Sequence, residues 1–491
     1  MKNYIGKNFK ILKLVKHDSI AVLTLLIIIA IIFETLSIGM ILPLFSSLID
    51  GSFTDKFPFL IDYLNIIIKL FWKNSNLESN QILIFSMVVL FALIFTLRHF
   101  FILLSIWKKN IFEYRLKIFL TKYFLSNYLK MPFSFLLKRN TSYLIRNVQT
   151  EVEIFSQNIL TIISMIGDIL TIISLLTLLF FVEFEATLYI LLALILVSYG
   201  IYFFTKKRIF TMARERQEHS QKSLQYIRQI FAGIREVKLF NREKQFTGNF
   251  INSFGALGWI AVIKSMIYII PRTVLELAIF LILCLFLFNI IFGNVPNSEI
   301  FPILALYAGA AFRLMPYVNK LITGSQQIKF AAPSVNLLHS ELLEIEKNRI
   351  ENSKIIYKKQ SFEKKIELSE ISFSYDSKKI FENTSLYINK GDCIGIIGES
   401  GSGKSTLIDI ISGLRSPQKG KILVDGEDIN KNLTNWQKLI GYVPQNIFIL
   451  DESIKNNIAF GLENEKIDEK KVLDSIDKSG LNDFFKNNNN N

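Results

Sequence analysis

Six stretches of this 491-residue chain stay apolar on every helical face for about 20 residues, the length a helix needs to cross a bilayer core. They lie at 19–44, 81–107, 155–182, 186–204, 266–292 and 300–321. A soluble core helix rarely remains apolar all round for so long, because one of its faces meets water. The pattern therefore predicts an all-α membrane domain over residues 1–339 with six transmembrane helices and long cytoplasmic extensions. A hydrophobic content of 51% and a mean hydropathy of +0.35 point the same way.

Lysine and arginine placement predicts the orientation. Basic residues crowd the N-terminal segment (Lys2, Lys7, Lys10, Lys13, Lys16), the stretch from Lys108 to Arg146, and the stretch from Lys206 to Lys244. The connections at 183–185 and 293–299 contain neither lysine nor arginine. Both termini are thus expected in the cytoplasm. The net charge of +14 reflects this asymmetry and contact with anionic lipid, in preference to a nucleic-acid surface. The first apolar run is long and lacks a small-residue cleavage site, so it reads as a span and not as a removable leader. At 57–72, Asp62, Asn65 and Lys69 recur at helical spacing in an apolar, aromatic run; this predicts an interfacial helix or a buried packing helix. The two cysteines, Cys284 and Cys393, have no metal or disulfide spacing and read as small apolar side chains in packed sites.

Residues 340–365 are charged and poor in apolar clusters, and read as a helical linker. Beyond them, 366–491 alternates strand, turn and helix patterns as soluble α/β domains do. Gly398-Glu-Ser400-Gly401-Ser402-Gly403-Lys404-Ser405-Thr406 is a full phosphate-loop motif between a predicted buried strand, 392–397, and a predicted helix from Lys404. Glycines let backbone N–H groups curl around phosphates, Lys404 reaches the β- and γ-phosphates, and the Ser405 hydroxyl suits Mg²⁺. The chain is therefore expected to bind a nucleoside triphosphate.

Six spans followed by such a loop resemble the exporter-type ABC transporters, in which a membrane half is fused to a nucleotide-binding domain. The resemblance implies ATP and Mg²⁺ as cofactors. Tyr375, in Ile371-Ser-Phe-Ser-Tyr375, looks like the aromatic residue that stacks on adenine. Gln445, in Gly441-Tyr-Val-Pro-Gln445, looks like the glutamine that touches Mg²⁺ and reports nucleotide state. Short transverse helices near Met131–Ser134 and Gly233–Lys238 would carry coupling, although the residues alone read equally as loop turns. In the membrane half, Phe33-Glu34-Thr35 through Pro43, Ile270-Pro271-Arg272 through Glu276, and Phe312-Arg313-Leu-Met-Pro316 resemble bacterial flippases of lipid-linked oligosaccharides. A homodimer, or pairing with an intact half-transporter, in the bacterial inner membrane is implied.

Arg98, Arg272 and Arg313 fall inside predicted spans. A central charge there costs about 2.5–3.5 kcal/mol or more, so it faces a cavity or a partner. Three planar guanidinium groups could receive the pyrophosphate of an anionic, polyprenyl-linked glycan. The other reading pairs them internally with Glu34, Asp168 or Glu276, and both can hold together.

The sequence also departs from that family. Residues 446–491 contain no Leu-Ser-Gly-Gly-Gln signature and no switch histidine; His17, His99, His219 and His339 all precede the phosphate loop, and Phe448-Ile-Leu-Asp-Glu-Ser453, the one apolar run there that ends in Asp-Glu, resembles the family's segment just after the glutamine and not its Walker B strand. The run Ile422-Leu-Val-Asp425 imitates Walker B but stands where the family has an antiparallel strand and turn. The asparagine-rich end, 487–491, reads as a frameshift, a truncated frame or a disordered tail. The expectation is an incomplete P-loop domain that binds ATP without catalytic residues of its own for turnover. Two alternatives stay open: a nucleotide-binding membrane protein without turnover, and a drug or peptide exporter.

Overall fold

The structure, a computed structural model, describes residues 2–14, 20–40, 79–182, 184–292, 297–352, 362–376 and 378–482. The expected helix at 57–72 and the asparagine-rich end lie outside them. The chain divides into two units, Met1–Ser353 and Lys354–Asn491.

The first unit is helical throughout. A short α1 (Lys2–Leu12) precedes α2 (Ile20–Gly39), α3 (Ser79–Leu129), α4 (Phe133–Lys138) and α5 (Thr141–Arg146). A π-helical turn, Asn147–Glu151, leads into α6 (Val152–Val182), followed by α7 (Phe184–Ala232), α8 (Ile234–Leu239), α9 (Glu243–Phe292) and α10 (Asn297–Asn352). The described part of each of the six apolar stretches falls on one long helix. Among the described residues, four helices are long and apolar enough to cross a membrane: Ala21–Gly39, Ile84–Leu129, Thr141–Phe181 and Glu243–Leu281. The expected spans at 186–204 and 300–321 lie on α7 and α10. At 51 residues α3 is about 76 Å long, more than twice a hydrocarbon core, so it must continue beyond any membrane. The two short helices α4 and α8 form where the transverse helices are expected.

Burial separates the two ends of these helices. Only 11–28% of the most apolar windows is buried, as expected of surfaces that lipid covers. The extensions are packed instead: Leu116, Leu120 and Phe124 of α3 meet Val152 and Phe155 of α6 and Val335, Leu338 and Leu342 of α10. Beside this core, buried Glu341 of α10 accepts hydrogen bonds from the Tyr128 hydroxyl at 2.8 Å and the Tyr143 hydroxyl at 2.7 Å. Glu341 also pairs with Arg139, which in turn reaches Glu344 and lies over the Phe135 ring at 4.6 Å. At the end of the π-helical turn, buried Glu151 pairs with Arg146 at 3.4 Å and with Arg216 at 3.0 Å. Glu341 thus ties α3, α5 and the α4–α5 connection to α10, and Glu151 ties α5 and α7 to the π-helical turn.

In the second unit, β1 (Lys365–Tyr375), β2 (Lys378–Asn389), β3 (Lys419–Val424) and β4 (Glu427–Asp428) form an antiparallel sheet of order β2-β1-β3-β4. Leu368, Ile371 and Phe373 of β1, with Ile422 and Val424 of β3, pack against Ile410 of α11 (Lys404–Ile411) and Trp436 of α12 (Leu433–Gln437). The Trp436 indole N–H donates to the Ile411 carbonyl at 2.8 Å, which satisfies an orphan acceptor at the end of α11. The short helix α13 (Ile454–Ile458) and α14 (Glu469–Lys478) follow.

Two expectations are corrected here. Residues 392–397, expected as a buried strand, form no regular element and pair with no strand among the described residues, and Ile394, Ile396 and Ile397 are exposed. A strand of this kind is buried only when neighbours hydrogen-bond to its edges, and β1–β4 form a separate antiparallel sheet. Cys284 and Cys393 are both exposed and not packed: the first lies on α9 and the second on this unpaired segment.

Candidate functional site

The phosphate loop joins the unpaired segment 392–397 to α11. Gly403 caps that helix with φ +102°, a left-handed conformation that L side chains adopt at a cost. A Cβ at Gly403 would lie 2.5 Å from the Ile380 side chain of β2, so β2 leaves room there for hydrogen only. The Ser402 N–H donates to the Glu399 carbonyl at 3.2 Å and closes the loop. The Lys404 ammonium folds across it and donates to the carbonyls of Gly398 and Glu399, both at 2.8 Å. Ser405, one residue into α11, is exposed, whereas Thr406 is buried.

Tyr375 ends β1 beside this helix. Its hydroxyl lies 3.1 Å from the Thr406 Oγ1, and its ring meets the edge of Phe373 at 5.1 Å between centroids. The structure therefore brings the aromatic residue expected to carry the base next to the loop expected to carry the phosphates. A triphosphate fits this set: loop N–H groups and the Lys404 cation would hold the phosphates, and the Ser405 hydroxyl would be available to Mg²⁺. Gln445 sits in an exposed bend, and among the described residues no hydrogen bond joins it to the loop.

Asp425 is a different kind of residue from the Walker B acid its surroundings imitate. It stands after β3, which runs antiparallel to β1, in a turn with φ +52°. Its carboxylate accepts from the backbone N–H groups of Glu363, Lys364 and Lys365 at 2.6–2.8 Å. Desolvation pushes its pKa up, but the three backbone hydrogen bonds outweigh that, and the group sits below its ordinary value of 3.8. It staples the start of β1 to the β3–β4 turn. The Asp425-Gly426 turn was visible in the sequence; its amide partners, some sixty positions upstream, were not. Arg415, whose guanidinium lies over the Tyr375 ring at 5.0 Å, carried no sequence signal at all.

In the membrane unit, Arg98 of α3 is buried and paired with Glu34 of α2, with Tyr317 of α10 in hydrogen-bonding reach of both. Arg272 of α9 pairs with Glu276 one turn on at 2.8 Å, and its side chain is 66% exposed. Arg313 is on α10, and its side chain lies outside the described residues. Internal pairing thus holds for the first two arginines.

Comparison with known proteins agrees with both units. Residues 20–313 match the ABC transporter transmembrane region, and residues 381–490 match the ABC transporter family. The chain belongs to the ABC transporters, with a transmembrane region and an ATP-binding domain in one polypeptide. It is similar to an ATP-dependent lipid A-core flippase of Francisella tularensis, 24% identical over 391 residues, covering 77% of this chain and 62% of that protein. A lipid A-core flippase of Desulfotalea psychrophila is 27% identical over 356 residues, covering 71% of this chain and 60% of the relative. The chain spans 53–63% of the length of the curated relatives it matches. Among solved structures, a bacterial Atm1-family ABC exporter with ATP bound shares the fold, with a TM-score of 0.69 at 15% identity over 95% of this chain and 78% of that one.

Proposed function

We propose that this chain is an ATP-binding half-transporter that moves a phosphate-bearing glycolipid, a polyprenyl-pyrophosphate-linked oligosaccharide, across the bacterial inner membrane. The observation that carries the reading is a phosphate loop whose helix residue Thr406 lies 3.1 Å from the Tyr375 hydroxyl, in the same chain as a bundle of bilayer-length apolar helices. Relatives named ATP-dependent lipid A-core flippases support a lipid cargo. All six apolar stretches cross the membrane in this reading, with both termini cytoplasmic, and two copies or two half-transporters assemble around the cargo.

ATP is held by Tyr375, Gly398, Ser400, Gly401, Ser402, Gly403, Lys404, Ser405 and Thr406, and Mg²⁺ by Ser405 and Gln445. When bound, ATP supplies the free energy for transport. The chain's own part is to bind and orient it: Lys404 neutralises phosphate charge and Tyr375 places the base. Arg98, Arg272 and Arg313 form the cargo site, with Glu34 and Glu276 holding Arg98 and Arg272 in place.

The nucleotide half of this reading is tested by titrating Mg-ATP into the purified chain. Lys404→Ala is expected to weaken binding at least about tenfold, the order of a lost charge-assisted contact. The cargo half is tested in nanodiscs by native mass spectrometry with a polyprenyl-pyrophosphate glycan and the matching uncharged polyprenol. Preference for the pyrophosphate should disappear in Arg272→Glu and Arg313→Glu; a preference unchanged by both reversals would refute the site.

A further inference from the structure

Tyr375 is held from four sides. Its hydroxyl meets Thr406 at 3.1 Å, and its ring stands at 87° to that of Phe373, 5.1 Å between centroids. The main chain behind it is fixed by Gln418, whose backbone N–H donates to the Ser372 carbonyl at 2.9 Å and whose side-chain amide donates to the Ser374 carbonyl at 3.1 Å. The fourth contact is Arg415, from the turn after α11, with its guanidinium 5.0 Å from the ring centroid. Arg415 is itself anchored. Its Nε pairs with the Asp409 carboxylate at 2.9 Å, with both side chains largely buried, and its backbone N–H donates to the Asp409 carbonyl at 3.0 Å. Tyr375 nevertheless remains 40% exposed, so surface is left for a ligand.

We propose that Arg415 is a positioning residue of the base site, backing the Tyr375 ring so that a flat purine stacks on the opposite face. This rests on the reading of Tyr375 as the base-stacking residue. A tyrosine at a strand end is free to turn about its side-chain bonds, and a ligand that must immobilise it loses affinity. A guanidinium over one face is attracted by the ring quadrupole and fixes the plane in advance. Asp409 already takes up the arginine's charge, which assigns Arg415 to the ring and not to the phosphates. Asp409 and Thr406 both project from α11, so the base platform and the phosphate loop move as one piece.

The test is isothermal titration of the full-length chain in nanodiscs with Mg-ATP and, separately, with inorganic tripolyphosphate, which has no base. Arg415→Ala is expected to weaken ATP about fivefold, the factor that ~1 kcal/mol represents, and to change tripolyphosphate less than about twofold. Arg415→Lys, which keeps a cation, should fall between wild type and Arg415→Ala. Adding Arg415→Ala to Tyr375→Ala should cost nothing further, and this cycle stands even if the single variant unfolds at a lower temperature. Unchanged ATP affinity in Arg415→Ala would overturn the proposal. So would equal losses for both ligands, which would make Arg415 a support of the phosphate loop, or tighter ATP binding, which would place it on the base's own face. A wild-type chain that binds ATP no better than tripolyphosphate would overturn the base-site reading and this inference together.

Discussion

Within each unit a single carboxylate ties distant segments together, by different means. Asp425 satisfies three backbone donors, and removing it is expected to cost about 1 kcal/mol, the order of a lost side-chain cap on accessible amides. Its folded-state pKa lies below the ordinary 3.8, so its contribution is present above that pH and is lost as pH falls through the lowered value. Urea titrations monitored by Trp436, with the other three tryptophans replaced by phenylalanine, should separate wild type from Asp425→Asn near neutral pH. The two curves should converge in acid below about pH 4. Glu341 works by burial: Glu341→Gln leaves Arg139 with Glu344 alone as its carboxylate and weakens two tyrosine hydrogen bonds, at an expected cost of about 2–3 kcal/mol. Glu344, whose side chain is 39% exposed, should cost less than about 1 kcal/mol when changed to glutamine. Thermal unfolding in detergent reads that difference; equal shifts would deny Glu341 its central place. Neither role was legible in the sequence, because each depends on partners distant along the chain.

Helices were easier to read than strands. The spacing from Lys404 predicted α11, and the P-loop pattern predicted the bend before it, because glycines and a helix start are local signals. Gly403 shows how local geometry and packing combine: its φ of +102° and the Ile380 contact both reject a side chain, whereas a Cβ at Gly401 would meet nothing within 4 Å. Gly403→Ala, which meets both about 1–2 kcal/mol of left-handed strain and the Ile380 side chain, should therefore reduce ATP affinity more than Gly401→Ala, which meets the strain alone. Comparable losses in a nucleotide titration would show that backbone strain, not the β2 contact, shapes the loop. Residues 392–397 were misread because an apolar run specifies a strand's propensity but not its neighbours. The same limit hid Arg415, which is an unremarked turn residue until α11 and β1 are packed together.

For the whole molecule, the basic extensions and the connections free of lysine and arginine at 183–185 and 293–299 predict that both chain ends face the cytoplasm. With Cys284 and Cys393 replaced by serine, a cysteine at position 7 should react with an impermeant maleimide only after inverted vesicles expose it, and one at position 295 only from the outside. The opposite labelling would overturn the orientation. By itself the sequence determined the class of molecule: apolar length demands helices in lipid, and a glycine-lysine loop demands phosphate, because both signals are complete within a few turns of chain. Only the tertiary structure decided which charges are paired. It set Arg98 against Glu34, Arg139 against Glu341 and Asp425 against the amides before β1, and it placed Arg415 behind Tyr375. Such pairs join elements far apart in the chain, and their geometry exists only once hydrophobic packing has brought those elements together.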